Sequence, residues 1–102
     1  MEDFDVFWNI FVLGLIVALE NDVLQPEECE AMLFNPYMKQ HFIKNRTNEH
    51  IIDIIDKGME LDAIKNLIPS DYNKIILKMK EKCISCLKTN ELIHYPIRRY
   101  FG

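Results

Sequence analysis

The chain has 102 residues, of which 49% are hydrophobic and 27% are charged, with three cysteines and a net charge of −4. This length suits one compact domain, so we treat residues 1–102 as a single domain. The balance of apolar and charged residues is that of a globular protein and excludes a disordered one. An odd number of cysteines does not make a disulfide framework, so we expect a reducing, cytoplasmic location.

The net charge hides an asymmetry along the chain. Residues 1–38 carry eight acids and no lysine or arginine, a charge of −8, whereas residues 39–102 carry eight acids and twelve bases, a charge of +4. An acidic front third disfavours nucleic acid there, because phosphate contacts need lysine and arginine. It suits a basic protein partner, whose approach it would steer. A solvated surface with a chance asymmetry is the alternative interpretation.

The first predicted element contains VFWNIFVLGLIVAL, residues 6–19, which carries no charged side chain. A helix needs about 18 to 20 apolar residues to cross a bilayer, and acids close this run on both sides. A secretory signal would need a positive charge before the run, but the first base is Lys39. We therefore expect no membrane association and predict a core helix over about residues 3–21. Because it is apolar on nearly every side, it must be fully buried or paired with a second copy.

The next two helices are predicted from prolines and their preceding residues. Pro26 stands at a first helical position and is followed by two glutamates, which favour the positive end of the helix dipole. This second helix should run to about Asn35, because the residue before Pro36 is pushed out of helical geometry. The same two residues form the cap and first position of a third helix over residues 36–44.

Three further helices complete the predicted fold. Thr47 or Asn48 caps the fourth, over residues 49–57, and Gly58 follows where a left-handed residue is usual. A fifth covers about residues 59–68, and Ser70 caps a sixth that runs through Leu87. With no strand alternation in the chain, we predict an all-α bundle of five to six mostly short helices around the apolar first helix. Residues 91–102 form a tail to which we assign no structure.

The CISC sequence at residues 83–86 is the motif with the most chemical interest. A redox pair would lie at a helix N-terminus, where the dipole lowers the thiol pKa, but this pair lies near the end of a helix. A zinc site would need two more ligands, and Cys29 with His94 is not a recognisable pattern. Cys83 and Cys86 fall on the apolar face of the sixth helix, so we predict that they pack in the core.

Catalytic motifs are not visible, and we expect neither enzymatic activity nor a cofactor. The histidines at positions 41, 50 and 94 are scattered, although a Cys–His pair assembled only in space stays open. Arg98 and Arg99 could contact nucleic acid, but pairing with the chain's own acidic third is at least as good an explanation.

Two stretches carry a resemblance to a known group of proteins. They are ALENDVLQPEECEAMLFNP and IIDIIDKGMELDAIKNLIPSDYNKIILKMKEKCISCLK, which together span residues 18–88. The positions at which their helices begin and end resemble those of a family of small, all-helical bacterial proteins. Some proteins of this kind are immunity proteins of polymorphic-toxin and contact-dependent growth-inhibition systems. The resemblance implies a non-catalytic, cytoplasmic protein that neutralises a cognate toxin, often a basic RNase or DNase domain.

The acidic side chains are the predicted toxin contacts, because a basic toxin surface would match them. The predicted contact residues are Glu27, Glu28, Glu30, Glu49, Asp53, Asp56, Glu60 and Asp62. We expect the three acids of the fourth helix to form an outward stripe, at i, i+4 and i+7. The alternative function, from a different class, is a self-associating regulatory or scaffold module that forms a homodimer through the apolar first helix.

Overall fold

The computed structural model describes residues 3–89, and the side chains of residues 5–88. All regular structure in residues 3–89 is helical, which confirms the all-α prediction. The helices are α1 (Asp3–Glu20), α2 (Pro26–Met32), α3 (Pro36–Lys44), α4 (Glu49–Gly58), α5 (Leu61–Leu67) and α6 (Pro69–Thr89). The tail at residues 91–102, with its arginine pair, lies outside the described residues.

The predicted caps of the short helices are confirmed. The side chain of Asn35 accepts a 2.8 Å hydrogen bond from the backbone N–H of Met38, and Pro36 is the first residue of α3. Between the two predicted caps of α4, Asn48 fills the role, because its side chain accepts from the backbone N–H of His50 at 2.8 Å. Short polar side chains in these positions satisfy N–H groups that the helix itself leaves without acceptors.

Several helix boundaries differ from the predicted ones: α5 covers Leu61–Leu67 rather than about residues 59–68, and α6 extends past Leu87 to Thr89. The second helix ends at Met32 rather than near Asn35, because the N–H groups of Leu33 and Phe34 both donate to the carbonyl of Cys29 and close the last turn. The sixth helix begins at Pro69, one residue before the predicted cap. Proline fits a first helical position, since its missing N–H would have no acceptor there.

Gly58 corrects a prediction about backbone conformation. It is the last residue of α4, but no glycine in the described chain has a positive φ, so the predicted left-handed conformation is wrong. The left-handed residues are instead Asp22 after α1 and Arg46 after α3, with φ values of 58° and 53°. The position needs glycine for space: a Cβ added at Gly58 would overlap the ring of Phe34, which is fully buried.

The core lies mainly between α1 and α6, the two longest helices, which form the most extensive helix pair. Within the described residues, the buried hydrophobic side chains are contributed by every helix and by the α2–α3 turn. They include Val12, Ile16, Leu19, Cys29, Leu33, Phe34, Phe42, Ile51, Ile54, Ile55, Leu61, Tyr72, Ile76, Met79 and Cys83. Among residues 3–89, no helix combines the length and apolar character required to cross a membrane.

Candidate partner-binding surfaces

The predicted acidic contact residues lie on or next to three neighbouring helices. Three of them, Glu27, Glu28 and Glu30, lie on α2. The α4 stripe consists of Glu49, Asp53 and Asp56. The last two, Glu60 and Asp62, lie at the start of α5. Helix α2 packs against both α4 and α5, so these three acidic segments occupy one part of the fold. Seven of the eight residues are exposed, and Asp56 is half-buried.

The α4 stripe is exposed but partly neutralised. The carboxylate of Asp56 lies 2.7 Å from the Lys39 ammonium on α3, and that of Asp53 lies 3.6 Å from the Lys82 ammonium on α6. Glu49 forms no ion pair within residues 5–88. Two of the three charges of the stripe are thus matched by bases of neighbouring helices, so the stripe presents much less net charge than the sequence indicated.

Helix α2 presents the least compensated acidic charge of the three segments. Within residues 5–88, Glu27 and Glu30 form no ion pair, and both side chains are exposed. Glu28 accepts a 3.0 Å hydrogen bond from the backbone N–H of Gln25 just before the helix. This contact completes the N-terminus of α2. We name these three glutamates the α2 acidic cluster.

The acids near α5 have mixed surroundings. Asp62 accepts a long hydrogen bond of 3.5 Å from the side chain of Asn66. Glu60 lies beside an open cavity of about 260 Å³, lined also by Lys57, Lys78 and two isoleucines. Within residues 5–88 neither Glu60 nor Asp62 forms an ion pair, so this segment has two acids without one, compared with three in the α2 acidic cluster.

A second exposed surface is apolar and lies on α1. Its large members are Phe7, Ile10, Phe11 and Val17, which are 59%, 47%, 40% and 40% exposed. Gly14 is also exposed and completes a row with the three-to-four-residue spacing of one helix face. We name these five residues the α1 stripe. The sequence predicts that the first helix is either fully buried or paired with a second copy. Full burial by the described residues is wrong. Pairing with a second copy along this face stays a prediction.

A buried polar group ties the start of α1 to the start of α4. The Asp5 side chain is 7% exposed, and one of its carboxylate oxygens accepts from the backbone N–H of Asn48 at 3.4 Å. The fully buried side-chain amide of Asn9 donates to the backbone carbonyl of Asp5 at 2.9 Å. These contacts fix where two helices begin, so this polar group has a structural role.

Cys86 and His50 both have pKa values shifted by burial and by charged neighbours. Burial, and then the Asp5 carboxylate, raises the pKa of the Cys86 thiol. Burial, and then Lys82, lowers the pKa of His50. Both shifts favour the neutral thiol and the neutral imidazole, whereas a nucleophilic cysteine needs the thiolate. The Cys–His hypothesis stays a prediction.

The other cysteines are packed as the sequence predicts. Cys83 is fully buried, and burial raises the pKa of its thiol to about 12. Cys29 is also fully buried, with a pKa raised to about 11 by burial and by Glu28. Cys86 departs from the prediction, because it is only half-buried. Among the described residues, no group of three or more metal-ligating side chains could hold a metal ion.

The fold and its surfaces define a small helical protein whose described part offers two exposed faces, one acidic and one apolar. The chain belongs to the family described as "Protein of unknown function (DUF3969)", whose model matches residues 1–101. No curated protein and no solved structure matches the chain. The family description names no activity, so the resemblance to immunity proteins stays a prediction.

Proposed function

We propose that this protein acts without catalysis, by binding a basic protein partner through an acidic surface centred on α2. The observation that carries this proposal is the α2 acidic cluster, where three neighbouring glutamates are exposed and have no base paired with them within residues 5–88. Following the resemblance to immunity proteins, the partner is a cognate toxin domain such as an RNase or a DNase. A protein that covers the basic substrate-binding surface of such a toxin would neutralise it.

Charge places the predicted contact residues in an order of importance. The α2 acidic cluster comes first, because within residues 5–88 no lysine or arginine forms an ion pair with it. Asp53 and Asp56 come later, since a partner would first have to displace Lys82 and Lys39. Exposed ion pairs contribute only about 0 to 1 kcal/mol, so this displacement would weaken binding rather than prevent it.

The test is a matched pair of charge reversals, Glu30→Lys on α2 and Glu81→Lys on the exposed side of α6. Both change the net charge equally, and exposed substitutions usually shift stability by only ~0.5 kcal/mol. The neighbouring gene's product is co-expressed as the probe, and association rates are measured at low and high salt. We expect Glu30→Lys to slow association and weaken its salt dependence, with Glu81→Lys close to the unmodified protein. Equal effects of the two reversals would contradict an α2-centred surface.

A second function, a self-associating regulatory or scaffold module, is favoured by the α1 stripe. Four large apolar side chains on one face of the longest apolar segment are 40% or more exposed. Such a face is typical of a contact with another protein surface. Self-association and acidic-surface binding use different helices, so one protein could perform both.

A further inference from the structure

The α1 stripe is a continuous apolar face with no charge in it. All of residues 6–19 lack ionisable side chains, and the stripe extends over three turns of α1. With side-chain areas of about 150–250 Å² for the aromatic residues, the exposed fractions of these side chains correspond to roughly 350 Å² of apolar surface. This is within the range of the largest apolar patches on soluble monomers, which often bind something.

The charges around the stripe leave it suited to a second copy of the same chain. Asp5, at one end of the helix, is buried and bonded to the backbone of Asn48. Glu20, at the other end, lies 2.6 Å from the ammonium of Lys80 on α6. Over the described side chains of α1, residues 5–20, two copies could therefore approach without bringing unpaired carboxylates together. A basic partner, in contrast, would find no carboxylate on this face.

The sizes of the side chains favour one orientation of that copy. The large residues Phe7, Ile10 and Phe11 occupy the first half of the stripe, and the smaller Gly14 and Val17 occupy the second half. In an antiparallel pair, the large half of each helix meets the small half of the other. A parallel pair would place the phenylalanines against each other and leave a gap at the glycines.

Gly14 supports the same conclusion independently. Among the described residues, a Cβ added there would meet no atom within 4 Å, so the packing of this part of the chain does not need a glycine at position 14. Glycine inside a helix is also unfavourable compared with alanine. A helix that approaches from outside does benefit, because the missing side chain allows closer contact between the two helix axes.

We propose that two copies of this protein pack their α1 stripes antiparallel around a two-fold axis. In this arrangement Gly14 of each copy faces Ile10 of the other, and Phe7 faces Val17, as a self-complementary interface requires. The inference rests on the second of the two proposed functions, self-association. The stripe is smaller than the roughly 800 Å² per partner of a standard stable interface. The dimer is therefore weak and depends on concentration.

The first test follows the mass of the full chain by sedimentation equilibrium up to about 1 mM, where weak complexes are populated. The variant is Ile10→Lys and its control is Leu77→Lys, since these side chains are 47% and 46% exposed on different helices. We expect dimers of the unmodified chain and the control, and at least tenfold weaker association of Ile10→Lys. If the unmodified chain is a monomer at every concentration, for example because residues 90–102 cover the stripe, the proposal is overturned. Equal association of Ile10→Lys and Leu77→Lys would also overturn it.

Gly14→Leu provides a variant that spares the fold. The added side chain points into open space in the single chain, so the circular dichroism spectrum should be unchanged while dimers are lost. A Gly14→Leu protein that is folded and still dimerises as well as the unmodified chain would also overturn the proposal. Glu30→Lys separates this test from that of the acidic surface, because it should leave the dimer intact whether or not it weakens toxin binding.

Cysteine cross-linking tests the orientation. A mixture of Phe7→Cys and Val17→Cys proteins should form disulfide-linked dimers faster than either variant alone, because residues 7 and 17 face each other only in the antiparallel pair. The unmodified chain, with its native cysteines, gives the background. Cross-linking of Phe7→Cys with itself at the same rate as in the mixture would overturn the antiparallel arrangement.

Discussion

Gly14 and Gly58 both lie within helices but have opposite surroundings. At Gly58 the last turn of α4 lies against the Phe34 ring, and a Cβ would overlap that ring. At Gly14 a Cβ would meet no atom of the described residues within 4 Å. The first glycine is therefore required by the packing of its own chain. The packing of the described residues does not require the second, and its face of α1 is the one on which we propose a contact with another copy.

The difference extends to the side chains around each glycine. Ile51, Ile54 and Ile55 of α4 are fully buried, and α4 packs against α2 and α3. Helix α1 has more apolar residues than α4, yet one face of it stays exposed. Apolar composition thus sets how much surface a helix could bury, whereas the neighbouring helices decide how much it does bury.

The largest expected loss of stability comes from Gly58→Ala. We expect a loss of about 3 kcal/mol in the free energy of unfolding, because the new methyl group must displace the buried Phe34 ring. Urea unfolding measures this loss. Adding Phe34→Leu should recover part of it, since the two sites share the same space. A Gly58→Ala protein with an unchanged unfolding midpoint would contradict the close approach.

A smaller effect is expected from the two cysteines of α6, which differ in burial within one turn. Cys83→Ser should cost about 1–3 kcal/mol, because it buries a hydroxyl without an assured acceptor. Cys86→Ser should cost less, as its side chain is only half-buried. A thiol reagent applied to the folded protein should label Cys86 well before Cys83, whose thiol pKa of about 12 also keeps it protonated. Equal labelling rates would show that the two positions are not distinguished in solution.

The exposed glycine should respond in the opposite direction. We expect Gly14→Ala to raise the free energy of unfolding by up to about 1 kcal/mol, because alanine is the better helix former and its methyl group has room. The measurement is made at low protein concentration, where the monomer dominates. Gly58→Ala is the matched control. Destabilisation by Gly14→Ala would mean that some part of the chain does pack on this face.

The smallest expected effect is a loss of folding stability at low pH. Burial holds the pKa of His50 below its ordinary value of 6.5, with Lys82 acting in the same direction and Asp53 against it. The unfolded chain therefore takes up a proton near pH 6.5 before the folded one does, so stability is lost as the pH falls below that value. Because the ring is only half-buried, we expect less than about 1 kcal/mol.

His50→Gln tests that expectation by chemical denaturation at several pH values. The variant should show a flatter pH profile between about pH 6.5 and 5 than the unmodified chain. The α1 stripe contains no ionisable group, so Gly14→Ala should keep the profile of the unmodified chain. Identical slopes for His50→Gln and the unmodified chain would contradict the assigned shift.

Local signals predicted the helices well, because caps and helix starts depend on a few neighbouring residues. The side chain of Asn35 accepts a hydrogen bond from an N–H group in the first turn of α3, and that of Asn48 does the same for α4. The exposure of the α4 stripe could also be predicted, since helix periodicity places its acids together. Its partial neutralisation could not, because Lys39 and Lys82 reach Asp56 and Asp53 from other helices.

The sequence by itself determined the all-α class, the positions at which α2, α3 and α4 begin, and the uncharged character of residues 6–19. Those properties follow from local hydrogen bonding, proline geometry and side-chain polarity. Only the tertiary structure decided which side of α1 is exposed and why position 58 requires a glycine. A helix that is apolar all round has no preferred face of its own, so the placement of its neighbours selects the face that stays open.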